Sequence, residues 1–150
     1  MSEPTPGFFE SLNNRMSETA YIAGIGAEVI ADDPSKAKMR LPYAPHLVGN
    51  PDTGVLHGGV ITGMLDHCCG MAVGKALKEM RPYATLDLRI DYMKAADPGV
   101  DIIVEAECLK VAHEIVFARG IAHHGDPAKP IAIATGTFMM TATPFPAKVD

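Results

Sequence analysis

The stretch "HGGVITGMLDHCCGMAVGKAL", His57 to Leu77, constrains the chain more than any other. Wound as a helix, it carries Val60, Ile61, Met64, Leu65, Cys68, Met71, Ala72, Val73 and Leu77 around its circumference and leaves no continuous polar stripe. Such a helix is expected to be buried on every side, either in lipid or inside a protein. Asp66, His67 and Lys75 count against lipid, where ionisable groups are costly. The rest of the chain also reads as strands that need something to cover. The expectation is a soluble domain whose sheet wraps this helix.

The strands show by alternation. In "TLDLRIDYM", Leu86, Leu88, Ile90 and Tyr92 fall on one side and Asp87, Arg89 and Asp91 on the other. "VDIIVEAECLKV" and "EIVFARGIAHH" follow, joined at Ala112 and His113 as a hairpin. A fourth strand, "PIAIATGTFMMTA", is reached through the turn "HGDPAKP". Ahead of the helix, "AYIAGIGAEVIA" and "KAKMRLPY" read as a hairpin around "DDPS". Strands in runs on either side of one helix predict an α+β class, with an antiparallel β-sheet packed on that helix.

A chain of 150 residues has room for one domain with a real core, taken as 1–150. Its N-terminal "MSEPTPGFFESLNNRMSE" has no basic flank followed by an apolar run, so residues 1–18 read as a short helical arm with Phe8, Phe9 and Leu12 on its apolar side. A net charge of −5, with the basic residues scattered, argues against a nucleic-acid partner. Three cysteines, of which Cys68 and Cys69 are adjacent, make no disulfide framework and fit a reduced, cytoplasmic setting.

Two features of the helix need explaining. Gly59, Gly63, Gly70 and Gly74 fall within about 60° of one another, and each costs about 1 kcal/mol against alanine in a helix interior. Close approach of the sheet to the helix backbone is the expected compensation. Asp66 is the second anomaly, because a buried carboxylate is expensive unless paired or hydrogen-bonded. His67 reads more simply as a satisfied core or rim residue. At the helix start, "LHGG" sets Gly58 and Gly59 where the first backbone N–H groups point outward, the raw material for stabilising a negative oxygen.

No metal site is expected. Cys68 and Cys69 lack ligand spacing, and His57 and His67 lie about 15 Å apart along one helix. Neither thiol has a recognisable base beside it in sequence.

Asn50, then His57-Gly58-Gly59, then Asp66, followed by "TLDLRIDYMKAA" from Thr85 and "ATGTFMM" from Ala134, together resemble the PaaI-like branch of the hotdog-fold acyl-CoA thioesterases. The resemblance spans roughly residues 20–142, with the elements in the same order. It implies a sheet curled around the central helix and dimerisation by joining two sheets edge to edge, as a homodimer or a dimer of dimers. It further implies hydrolysis of an acyl-CoA at the dimer interface, with no cofactor beyond the coenzyme A of the substrate. Carried over residue by residue, Gly58 matches the backbone donor that polarises the thioester carbonyl, and Asp66 matches the carboxylate that activates water or attacks directly. Asn50 matches the side-chain amide near the thioester, His57 the residue that helps fix that loop, and Thr85 a hydroxyl beside the acid. Gly59 and Lys94 are expected substrate contacts. Lys94 is the candidate cation for the coenzyme A phosphates because the His113-Glu114 turn stands where relatives carry a glycine and a basic residue.

Two geometric expectations follow. By simple alternation Thr85 lies opposite the apolar face of its strand, so its approach to Asp66 requires a twist, a bulge or a partner chain. His57 and Asp66 stand on opposite faces of one straight helix, about 13 Å apart along its axis, so the carboxylate facing Gly58 and Asn50 is expected from a two-fold partner. Two other functions use the same fold: a non-catalytic acyl-CoA-binding protein, and a hydratase or dehydratase with Asp66 and His67 facing one substrate. Those two side chains point about 100° apart on a helix, which weighs against the second.

Overall fold

A computed structural model describes residues 3–4, 6–30 and 33–141. The chain runs through α1 (Phe8–Ser17), α2 (Ala20–Ile25), β1 (Glu28–Val29), β2 (Lys36–Leu41) and a 3-10 turn (Pro45–Leu47). It continues through β3 (Val48–Asn50), β4 (Val55–Leu56), α3 (Gly58–Leu77), β5 (Tyr83–Tyr92), β6 (Ile102–Ala112), β7 (Ile115–His123) and β8 (Ala132–Met140). Six strands form one antiparallel sheet in the order β1-β2-β6-β7-β8-β5, with the two-residue β1 at one border and the ten-residue β5 at the other. β3 and β4 make a separate small hairpin. This is the expected α+β architecture, a large antiparallel sheet around one long helix.

The core lies between α3 and the sheet. Ile102, Val104 and Ala106 of β6, Val116, Ala118 and Ala122 of β7, and Ala134 and Phe138 of β8 join Met64, Leu65, Cys68, Met71 and Ala72 of α3 in one buried cluster. Alternate residues of the strands supply it, as a sheet with one covered face requires. Helix and sheet approach closely at Gly120 of β7, where a Cβ would stand 3.0 Å from Cys69 Sγ and 3.2 Å from Leu65 Cδ2. No helix of the described residues is long and apolar enough to cross a membrane.

Four expectations need correction. "AYIAGIGAEVIA" is not a strand along its length. Ala20–Ile25 form α2, which buries Ile22 and Ile25 on one side and ends at Gly26, whose αL backbone donates its N–H to Ile22 and Ala23 carbonyls. An i, i+3 helical pair had passed for alternation, and only Glu28 and Val29 extend as β1, paired with Arg40 and Met39. Ala31 at the end of that stretch, Asp32 of the expected turn after it, and Ala142 at the end of the last expected strand lie outside the described residues.

The glycine face of α3 is covered by side chains rather than by strand backbone. Tyr21 of α2 lies over Gly63, Tyr83 and Phe138 over Gly70, and Leu12 and Tyr83 over Gly74. Nor is the helix buried all round. Gly58 and Gly59 are exposed, and Thr62, Gly63, Asp66 and His67 are half-buried; α1 covers the later part of that face, with Leu12 over Gly74 and the Met16 carbonyl at His67. Finally, the alternation in β5 breaks at Leu86. Thr85 pairs with Phe138 and Asp87 with Thr137, so Leu86 is the extra residue of a bulge and is exposed rather than facing inward with Leu88.

Candidate active site

The bulge at Leu86 changes which way Thr85 points. With one residue too many, Thr85 falls on the same side as Phe138, toward α3, and its Oγ1 donates to Asp66 Oδ1 at 2.9 Å. The Asp66 carboxylate is thereby hydrogen-bonded within its own chain. The other oxygen, Oδ2, has no hydrogen-bond donor among the described residues, and Asp66 is half-buried.

A second group of residues gathers at the start of α3. His57 is the N-cap, in extended conformation, and its Nδ1 accepts the Gly59 N–H at 2.9 Å. The His57 backbone is held on both sides: its N–H donates to Leu47 O at 2.9 Å and its carbonyl accepts Val60 N–H at 3.0 Å. The two glycines therefore differ. The Gly59 N–H is taken by the imidazole, whereas the Gly58 N–H has no acceptor among the described residues and lies exposed at the positive end of the helix dipole. Asn50 ends β3, where its Oδ1 accepts Asp52 N–H at 3.0 Å and its backbone carbonyl accepts the Gly54 N–H at 2.9 Å. This turn fixes the loop and leaves the Asn50 amide at an exposed position.

Two residues that sequence reasoning did not single out belong to this end. The Tyr92 hydroxyl donates to Gly58 O at 2.7 Å and lies 2.8 Å from Thr62 Oγ1, which is itself 3.2 Å from Gly58 O. Tyr92 had been placed among the core-facing residues of its strand, yet it is about half exposed, at 48%. A threonine four residues after a helix-start glycine was the available signal. Lys94 follows β5 at the same end and pairs with Asp97 at 3.3 Å on the surface.

The other ionisable groups of α3 are occupied elsewhere. His67 Nε2 donates to the Met16 carbonyl of α1 at 3.0 Å, and burial pushes its pKa down. Asp66 and His67 thus serve different neighbours, β5 and α1, and do not face one substrate. Burial pushes the Cys69 thiol up to about 12 and Cys68 well above its ordinary value, so neither offers a thiolate. Among the described residues, no group of three or more His, Cys, Asp or Glu side chains is placed to hold a metal ion.

Comparison with known proteins places the family and the fold. A family model described as the thioesterase superfamily matches residues 53–131. The medium/long-chain acyl-CoA thioesterase YigI of Escherichia coli (strain K12) is 28% identical over 129 residues, covering 77% of this chain and 82% of its own. A crystal structure of a Pseudomonas aeruginosa protein is 39% identical, covers 88% of this chain and 98% of that one, and superposes with a TM-score of 0.78. A variant of the phenylacetic acid degradation protein PaaI from Thermus thermophilus, 19% identical, shows likeness of fold alone, with a TM-score of 0.68 over 79% of this chain and 96% of that one.

Proposed function

The chain belongs to the thioesterase superfamily, and we propose that it hydrolyses acyl-CoA thioesters to a free acid and coenzyme A. The observation that carries this reading is the uncapped Gly58 N–H at the head of α3, on the helix that also carries the hydrogen-bonded Asp66. A thioester needs a carbonyl polariser and one base, because a thiolate leaves without a strong acid.

In the proposed reaction the thioester oxygen sits against the Gly58 N–H. Asp66 takes a proton from water as the oxygen of that water adds to the carbonyl carbon, and negative charge collects on the oxygen facing Gly58. Collapse of the adduct breaks the C–S bond and expels the coenzyme A thiolate, which takes up a proton. In the nucleophilic variant an Asp66 oxygen adds first, and water then opens the resulting anhydride. Thr85 orients the carboxylate in both. His57 holds the loop through Gly59, Asn50 presents its amide to the thioester, and Lys94 meets the coenzyme A phosphates.

On a single straight α3, Gly58 and Asp66 lie about 12 Å apart along the axis. The carboxylate acting at one Gly58 is therefore assigned to a second copy, joined along the β5 border as a homodimer, with Gly59 lining the entry. A panel of acyl-CoA thioesters read by free-thiol release tests the activity, with medium- and long-chain substrates placed first because of the YigI name. Turnover of at least one member, abolished in Asp66→Ala, is expected. Release of thiol that persists unchanged in Asp66→Ala, or none from any member, overturns the reading.

A further inference from the structure

Gly58 opens α3 at the head of the proposed site. It has no side chain to restrict its backbone, yet the value of an N–H as a carbonyl polariser depends on where it points before substrate arrives. The peptide on its N-terminal side is held by Val60 N–H on the His57 carbonyl. On its C-terminal side the Gly58 carbonyl receives the Tyr92 hydroxyl at 2.7 Å, beside a Thr62 hydroxyl 3.2 Å away. The Tyr92 ring also borders the open flank of Gly58, with Oη 3.6 Å from where a Cβ would stand.

Proton counting orders this cluster. Two hydroxyls carry one proton each and make three close contacts, so only two contacts are filled as full hydrogen bonds at once. The shorter one assigns the Tyr92 proton to Gly58 O. Thr62 then donates to Tyr92 Oη at 2.8 Å, which polarises the tyrosine and strengthens its donation. If Tyr92 loses its hydroxyl, Thr62 can turn to Gly58 O instead.

Resting on the thioesterase reading above, we infer that Tyr92, backed by Thr62, is a positioning residue for the reaction: its hydroxyl ties the Gly58–Gly59 peptide to the end of β5 and so fixes where the head of α3, with its exposed Gly58 N–H, stands. Neither hydroxyl touches the reacting atoms in this role. The clamp comes from the C-terminal end of β5, the same strand whose Thr85 holds Asp66.

The test uses Tyr92→Phe, Thr62→Val and the double variant on the acyl-CoA that the wild type turns over best. A displaced donor lowers kcat and spares ground-state binding, so Tyr92→Phe is expected to lose roughly tenfold in kcat with KM within about twofold. Thr62→Val is expected to lose about two- to threefold, and the double variant more than the product of the two, because each hydroxyl covers for the other. A thioether analogue of the substrate, which lacks the carbonyl, should bind all variants alike. A ketone analogue, with a methylene in place of sulfur, should weaken in step with kcat. A kcat for Tyr92→Phe within twofold of wild type, a rise in KM alone, or equal weakening of both analogues overturns the inference. Should Tyr92→Phe fail to fold, Thr62→Val decides, and an unchanged kcat there overturns it. A wild type inert on every acyl-CoA removes the parent reading along with this one; an active wild type with an unimpaired Tyr92→Phe removes this one alone.

Discussion

At the scale of single residues, Asp66 was legible because it broke a rule. A carboxylate on a helix with no polar stripe demands a partner, and Thr85 is that partner. Asp66→Asn keeps the shape and the hydrogen bond but cannot accept a proton or attack, so hydrolysis should fall by at least about 10²-fold while the melting temperature stays close to wild type. Turnover within a few-fold would return Asp66 to a structural role. Gly58 makes a sharper case. A Cβ there meets the Tyr92 ring and hydroxyl only at ordinary contact distance, so the backbone accepts a side chain, which stands beside the exposed N–H that an incoming carbonyl must reach. Gly58→Val should therefore lower kcat/KM by about 10²-fold with an unchanged unfolding midpoint, and full activity would place the oxyanion donor elsewhere. Tyr92 was not legible. Alternation assigned it to a face, and nothing in a sequence says that a hydroxyl ends 2.7 Å from one particular carbonyl.

Among the elements, strands with strict alternation and the long apolar helix could be read directly, whereas short or interrupted elements could not. The helix α2 is too brief for its period to stand out from alternation. The bulge at Leu86 leaves no compositional trace, although it decides the side on which Thr85 lies. The end of β7 offers an element-scale prediction. His123 is 1% exposed, its Nδ1 accepts the Gly125 N–H at 2.9 Å, and its Nε2 lies 3.4 Å from Glu105. Burial pushes its pKa below the ordinary 6.5, outweighing the opposing pull of Glu105 and Asp126 and aided by Lys38. Between that lowered value and about 6.5 the unfolded chain binds a proton that the folded chain refuses, so stability falls as pH drops through this window. Urea midpoints measured from pH 7 to pH 5 should decline, and His123→Asn should show a shallower decline, since its amide oxygen still receives the Gly125 N–H. His67, lowered by burial in the same direction, keeps the slope from vanishing. An identical slope in His123→Asn would remove His123 from the pH response.

For the whole molecule, one chain holds both halves of the proposed chemistry but sets them about 12 Å apart along one helix. That spacing could be counted in the sequence; the open flank beside it, where Thr62, Gly63 and Asp66 remain half-buried, could not. If the site is shared between two copies, Asn50→Ala and Asp66→Ala chains are each nearly inactive alone and complement each other when mixed. Unfolding and refolding equal amounts together makes about half the dimers mixed, each with one intact site of two, so activity should return to about a quarter of wild type. Separately refolded samples are the controls. Subunits that demonstrably exchange without recovery would place Asn50 and Asp66 in one chain's site.

The unequal borders of the sheet set how far any such association can go. In the vocabulary of polymer chemistry a strand border is a functional group, and growth requires two per monomer. Among the described residues the six-stranded sheet has one long border, the ten-residue β5, while the opposite border is closed by a two-residue stub. A monofunctional unit couples once and terminates, so β5 pairing with β5 about a two-fold axis leaves only stubs facing outward. In the proposed pair the brevity of β1 would act as a chain stopper, and lengthening it would turn a self-limiting pair into a monomer for a fibre.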